Sequence, residues 1–85
     1  MTFYLYILYS KKLDKYYVGA TQNIQKRLVS HLSNHQGFTA RAKDWVVVYQ
    51  ETFQSKEAAY AREKQIKSWK SRKMILKLIL ENDNK

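Results

Sequence analysis

The sequence contains no cysteine and no proline, and glycine occurs only twice in 85 residues. Without cysteine, a disulfide framework, a thiolate zinc site and a cysteine nucleophile are all excluded. The chain also has neither a Gly-rich phosphate loop nor a Gly-x-Ser-x-Gly elbow that would present a serine nucleophile. These absences argue against acyl transfer and nucleotide hydrolysis.

Acidic residues and long apolar runs are scarce as well. Seven Asp and Glu against sixteen Lys and Arg give a formal net charge of +9, which in so small a chain is typical of proteins that bind nucleic acid or another anionic surface. The longest apolar run, residues 3–9, is far shorter than the ~20 residues of a membrane span, and no basic segment precedes it as in a secretory signal. We therefore expect a cytoplasmic protein with no membrane partner.

The remaining composition is that of one small folded domain. Hydrophobic residues make up 45% of the chain and aromatic residues 14%, which is too much apolar surface for a disordered protein. A chain of this length has room for one domain with one small core. We assign that domain to residues 1–80 and expect residues 81–85 to be a frayed tail.

Residue patterns predict the order ββαβαα. The near-continuous apolar, β-branched and aromatic character of residues 3–9 predicts a central strand covered on both faces. Residues 16–20 predict a second strand that pairs with it antiparallel, and residues 45 to about 53 predict a third. The fold class is therefore α+β, a small three-stranded antiparallel sheet flanked by helices.

The helices are predicted from apolar spacing and from capping residues. Ile24, Leu28 and Leu32 recur every fourth residue and predict a helix over about residues 23–34. Ser55 and Ser71 are suited to cap two further helices. In the third helix we expect an apolar stripe of Met74, Ile75, Leu78 and Ile79.

Glu63 is the acidic residue whose position is most informative. On a helix of 100° per residue it lies about 60° from Ile66 and so borders the buried stripe, where a carboxylate can face a cleft. The alternative is an ion pair with Lys67 at i+4, which is common and weak on solvated helices. Periodicity alone favours the ion pair.

Three further positions invite a functional interpretation. Arg27 and His31 are four residues apart at the edge of the first helix's apolar stripe. An arginine there can bind a phosphate through its planar guanidinium. The alternative, equally open, is an arginine lying over the core beside a satisfied histidine. Gly19 shares a strand face with Tyr17, and its missing side chain would let a ligand or a helix approach the backbone closely.

A basic aromatic segment follows Ala61. Residues 62–77 hold seven basic side chains, a single acid and a tryptophan, a pattern typical of surfaces that follow a phosphate backbone. The alternative is a solvated, positively charged helix pair, but the overall charge favours nucleic acid. The residues that we expect to bind it are Arg62, Lys64, Lys67, Trp69, Lys70, Arg72 and Lys73.

Taken together, the chain resembles the GIY-YIG nuclease superfamily, in particular its small stand-alone members related to the N-terminal nuclease domain of an excinuclease. Leu5-Tyr6-Ile7 stands at the first motif, with Leu5 in place of its glycine, and Tyr17-Val18-Gly19 stands at the second. Arg27 and His31 follow in the next helix, and residues 61–69 resemble the family's metal-ligand helix. Residues 39–41 resemble the loop of the small members, and we expect Arg41 there to contact nucleic acid.

The resemblance implies an endonuclease that hydrolyses nucleic-acid phosphodiester bonds with one divalent ion, Mg²⁺ or Mn²⁺. Glu63 would hold the ion. Tyr17 or Tyr6 would orient and deprotonate the attacking water, with Arg27 and the ion lowering the pKa of the phenol. Arg27 would also stabilise charge on the phosphate, and His31 would assist proton transfer or hold the scissile phosphate.

The same resemblance implies DNA as substrate ahead of RNA, and a role in DNA repair or processing. Because no further DNA-binding domain is appended, we expect target choice to come from the chain's own basic surface or from a targeting protein partner. Many larger members carry an Asn after the metal ligand, where this chain has Lys70, Ser71 and Arg72. The alternative is therefore a basic nucleic-acid-binding module with the same fold that cuts weakly or not at all.

Overall fold

The computed structural model describes the backbone of residues 2–33 and 43–83 and the side chains of residues 2–29 and 43–81. The elements are β1 (Phe3–Ser10), β2 (Lys15–Thr21), α1 (Ile24–Ser33), β3 (Val46–Phe53), α2 (Lys56–Ser68) and α3 (Arg72–Asp83). This confirms the predicted α+β class and the order ββαβαα. Across the described ranges, no helix is both long enough and apolar enough to cross a membrane.

The sheet is antiparallel with the order β2-β1-β3, so β1 is the central strand, as its apolar sequence predicts. Its two faces are buried in different clusters. Leu5 and Ile7, both 0% exposed, pack with Ile66 of α2 and with apolar residues of α3. Tyr6 and Leu8 point to the opposite face, which α1 covers. The alternation of β1 therefore places Tyr6 on the α1 side of the sheet.

Polar side chains cap the three helices. The Asn23 Oδ1 atom accepts a hydrogen bond from the backbone N–H of Lys26 at 2.9 Å at the start of α1. The Ser55 and Ser71 hydroxyls accept from the backbone N–H groups three residues later, at 3.1 and 3.4 Å, which confirms both predicted caps. Between α2 and α3, Lys70 adopts a positive φ of 51°, the left-handed conformation that commonly ends a helix.

Helix α3 follows the predicted apolar stripe except at Met74. Ile75, Leu78 and Ile79 pack against the core as expected, but Met74 is 43% exposed. The reason is helical phase, because Met74 lies about 90° from the centre of the stripe that the other three residues form. At its far end α3 continues to Asp83, so the helix enters the stretch in which we expected a frayed tail.

Candidate active site

Tyr6 and Gly19 face each other across the pairing of β1 with β2. Tyr6 is only 1% exposed, and a Cβ atom added at Gly19 would lie 2.5 Å from its Oη atom and 2.7 Å from its Cζ atom. A close approach does occur at Gly19, but it is made by the ring of Tyr6 on the neighbouring strand and not by the ligand or helix that we expected. Glycine at this position gives the phenol of the central strand room to lie against β2.

Tyr17 lies next to Tyr6 on the same face of the sheet. The centroids of the two rings are 6.4 Å apart and their planes are tilted by 41°. From α1, the guanidinium of Arg27 hydrogen-bonds to the phenol of Tyr6 and also to that of Tyr17. The bond to Tyr6 raises the pKa of Arg27 above its usual value, so this side chain carries a permanent positive charge at the mouth of the cleft.

Burial governs the ionisation of Tyr6. Removal of the phenol from water raises the pKa of Tyr6 to about 12, although the hydrogen bond from Arg27 acts in the opposite direction. At pH 7 only about one Tyr6 side chain in 10⁵ is then ionised. Arg27 lowers the pKa of this phenol, as expected, but in the protein alone the desolvation of the phenolate is the larger effect, so the pKa is raised on balance.

Glu63 approaches the same cleft from α2. Its side chain is 20% exposed, and its carboxylate accepts a bond from Lys67 Nζ at 2.6 Å. The charge of Glu63 acts on the phenol of Tyr6, and the Lys67 Nζ atom lies 5.8 Å from the centroid of the Tyr17 ring. Both interpretations of Glu63 from the sequence are therefore compatible, since the residue borders the core and also pairs with Lys67.

Four of the five residues that we expected to form the site converge in this way: Tyr6, Tyr17, Arg27 and Glu63. Strand β1, strand β2, α1 and α2 each contribute one of them. His31 belongs to α1, but its side chain lies outside the described residues, and so does Arg41. The arrangement combines a fixed cation, a carboxylate and two phenols in one cleft.

A divalent ion fits the chemistry of this cleft through a single protein ligand. Among the described side chains, no group of three or more His, Asp or Glu is arranged to hold a metal ion. Mg²⁺ does not need such a group, because it keeps several of its waters and binds through one or two carboxylates together with substrate phosphates. Glu63 can provide that carboxylate once Lys67 moves away from it.

The basic side chains of residues 62–77 divide into two groups. The first group forms ion pairs: Lys67 donates to Glu63, the Arg62 guanidinium donates to Glu51 at 3.0 Å and Arg72 donates to Asp14, the last two pairs being 11 and 58 positions apart in the chain. Arg62 also lies 5.7 Å from the centroid of the Trp69 ring. The second group is exposed and forms no ion pair within the described residues: Lys64, Lys70, Lys73 and Lys77. The lysines of this second group are available for phosphate contacts.

Sequence reasoning did not single out a groove that begins at Arg27. The groove has a volume of about 1100 Å³, and its lining includes Lys26, Lys56 and Tyr60. Lys26 could have been noticed as the neighbour of Arg27. No local signal marks Lys56 or Tyr60, because they belong to a helix about thirty residues further along the chain.

Comparisons with known proteins agree with this architecture. A UPF0213 protein of Staphylococcus haemolyticus is 38% identical over 79 residues, which covers 92% of this chain and 94% of the relative. A UPF0213 protein of Staphylococcus saprophyticus is 40% identical over 80 residues, with the same coverage. The solution NMR structure of a UPF0213 protein from Bacillus halodurans is similar with a TM-score of 0.58 and 30% identity, over 93% of this chain and 83% of that one.

A family model provides the classification. The model for the GIY-YIG catalytic domain matches residues 2–75, a span that includes both tyrosines of the cleft, Arg27 and Glu63. The resemblance that the two tripeptide motifs suggested is thereby confirmed. This chain belongs to the GIY-YIG catalytic domain family, which is a family of nucleases.

Proposed function

We propose that this protein is a divalent-metal-dependent endonuclease that hydrolyses phosphodiester bonds in DNA. The observation that carries the proposal is the convergence of Arg27 and Glu63 on the two phenols of Tyr6 and Tyr17. Phosphodiester hydrolysis needs a cation at the phosphate, a ligand for a metal ion and a group that orients the attacking water. This cleft contains a candidate for each of these tasks.

Arg27 is the candidate phosphate-binding residue. Its planar guanidinium offers several donors, so hydrogen bonds to the two phenols leave further N–H groups for phosphate oxygens. The phenols orient the guanidinium, which lowers the cost of fixing it when the substrate binds. Arg27 would then stabilise the extra negative charge that develops on the pentacoordinate phosphate.

The two tyrosines differ in their access to water. Tyr6 is buried and has a pKa of about 12, so its neutral hydroxyl is suited to hold Arg27 in place. Tyr17 is only partly buried and can contact a water molecule in the cleft. We therefore assign the orientation and deprotonation of the attacking water to Tyr17 and a positioning role to Tyr6. The proton-transfer role expected of His31 stays a prediction.

Glu63 is the residue that would hold Mg²⁺ or Mn²⁺. When bound there, the ion would polarise the phosphoryl oxygen and add positive charge beside the phenols. Lys67, now 2.6 Å from the Glu63 carboxylate, would be released to interact with the phosphate instead. A role in DNA repair or processing, a targeting partner and a cytoplasmic location stay predictions.

Cleavage assays with a matched pair of variants test the proposal. Labelled single-stranded, duplex and branched DNA are each incubated with the protein in Mg²⁺, Mn²⁺ or EDTA. We expect cleavage with a divalent ion and none in EDTA, and Glu63→Gln should abolish it. Glu57→Gln, which changes an exposed carboxylate in the first turn of the same helix, should cleave like the unmodified protein. Equal cleavage by both variants would refute the role of Glu63.

A second candidate function is a nucleic-acid-binding module that does not cut. The observation in its favour is the ion pair between Lys67 and Glu63, which neutralises the carboxylate that a metal ion would need. Binding of DNA without cleavage of any of the three substrates in either ion would establish this alternative. Arg27→Ala should weaken metal-free binding under both functions, because it removes a phosphate contact.

A further inference from the structure

We propose that the groove lined by Lys26, Lys56 and Tyr60 is a subsite for the nucleotides that flank the scissile phosphate. The position of this subsite beside the cleaved bond rests on the proposed function. The groove shares Arg27 with the candidate active site. It lies apart from the basic segment of residues 62–77 that the sequence singled out. A strand bound at Arg27 would therefore continue toward the first turn of α2.

The size of the groove suits a segment of a polymer. Its volume of about 1100 Å³ exceeds the roughly 300–1000 Å³ of typical small-molecule pockets. Its lining comes from the start of β1, the end of β2 and the N-terminal parts of α1 and α2, so four elements contribute to it. Space of this size and position can hold more than one nucleotide next to the phosphate at Arg27.

The charge of the groove is complementary to a phosphodiester backbone. Three of the described lining residues, Lys26, Arg27 and Lys56, are basic, and none of the described lining residues is acidic. Within residues 2–29 and 43–81, neither of the two lysines forms an ion pair, whereas Arg62 and Arg72 do. The positive charge of the groove is thus not neutralised inside the protein and is available to phosphates.

Tyr60 adds a surface for a base or a sugar. Tyr60 is 47% exposed, so its aromatic side chain is accessible to a ligand in the groove. The Lys56 Nζ atom lies 5.6 Å from the centroid of this ring, so a cation and an exposed aromatic face are presented together. Nucleic-acid-binding grooves that follow a strand combine these two features.

Binding measurements on the full chain test the subsite independently of cleavage. The probes are labelled 12-mers of single-stranded DNA, RNA and duplex DNA, and fluorescence anisotropy is followed in EDTA over a range of salt. Lys56→Gln should weaken binding about five- to tenfold and reduce the salt slope by about one. Tyr60→Ala should weaken binding about five- to 100-fold, and Tyr60→Phe should restore most of it.

Lys11→Gln is the matched control. It removes the same charge from an exposed lysine in the turn between β1 and β2, outside the groove, and should leave affinity within about twofold. The substituted side chains are all exposed, so circular dichroism should show unchanged folding. Equal losses for Lys56→Gln and Lys11→Gln, or an unchanged affinity for Tyr60→Ala on all three probes, would overturn the subsite.

Failure of the subsite and failure of the proposed endonuclease are distinguishable. If the protein cleaves DNA but the groove variants bind normally, the endonuclease stands and the subsite is refuted. If it cleaves nothing but the groove variants lose affinity, the groove is supported as a nucleic-acid site and only the cleavage is refuted.

Discussion

Gly19→Ala is the substitution whose effect the structure specifies most closely. The new Cβ atom would lie 2.5 Å from Tyr6 Oη, 2.7 Å from Cζ and 3.1 Å from Cε1. The first two distances are well below van der Waals contact, so the ring or the strand must move. Tyr6 is 1% exposed and belongs to the central strand, so its ring has little room to yield.

Two opposing effects determine the magnitude. Overpacking a filled site typically costs about 1–3 kcal/mol. Replacing glycine by alanine also stabilises the folded state by about 0.4–1 kcal/mol, because it lowers the conformational entropy of the unfolded chain. We therefore expect a net destabilisation of about 1–2 kcal/mol, and a fall in Tm of about 4–8 °C per kcal/mol in a domain of this size.

Urea denaturation of a double-mutant cycle with Tyr6→Phe measures the contact itself. Tyr6→Phe removes the hydroxyl at 2.5 Å but leaves the ring carbon at 2.7 Å, so it should relieve part of the strain. Gly19→Ala should then cost at least about 0.5 kcal/mol less in the phenylalanine background than in the unmodified protein. A cost below about 0.5 kcal/mol that is the same in both backgrounds would refute the steric argument.

Three further predictions concern ionisation and ion pairs. Spectrophotometric titration should show an ionisation near pH 12 that Tyr6→Phe removes. Because the pKa of Tyr6 is raised in the folded state, its contribution to the free energy of unfolding should be complete below about pH 10 and lost between pH 10 and 12. NMR titration should place the pKa of Asp14 at about 2, lowered chiefly by its hydrogen bond to Arg72, and Arg72→Gln should return the pKa toward 3.8. The stability that this lowered pKa contributes is present above about pH 4 and is lost as the pH falls toward 2. Arg62→Gln should lower the free energy of unfolding by about 1–2 kcal/mol in urea, because it leaves the partly buried Glu51 carboxylate without its guanidinium partner; a loss below about 0.3 kcal/mol would contradict this.

The sequence alone was sufficient for the order of the elements and for naming Tyr6, Tyr17, Arg27 and Glu63 as candidates, which the structure brings close together. The apolar run of β1 predicted a central strand, and the capping residues Ser55 and Ser71 marked the starts of α2 and α3. Such signals are local, since capping acts over three residues and periodicity over one or two turns. The two tripeptide motifs indicated the GIY-YIG family, and the match to the family model confirms that assignment.

Periodicity also limited what could be inferred for Glu63. Helical phase showed that the residue borders the core, and spacing showed that Lys67 is within reach. Neither shows that the phenol of Tyr6 lies nearby, because that depends on how α2 packs against the sheet. The net rise in the pKa of Tyr6 could not be inferred for the same reason, since the extent of burial is a property of the assembled core.

The tertiary structure alone decided how the charges are used. Arg62 and Arg72 looked like members of one basic segment, yet each reaches an acid on a distant element. Lys56 and Tyr60 carried no signal in the sequence, and they join Arg27 only because the N-terminal parts of α1 and α2 line the same groove. Pairing of charges and formation of a groove depend on distances through space between elements far apart in the chain, and residue patterns report only on neighbours along it.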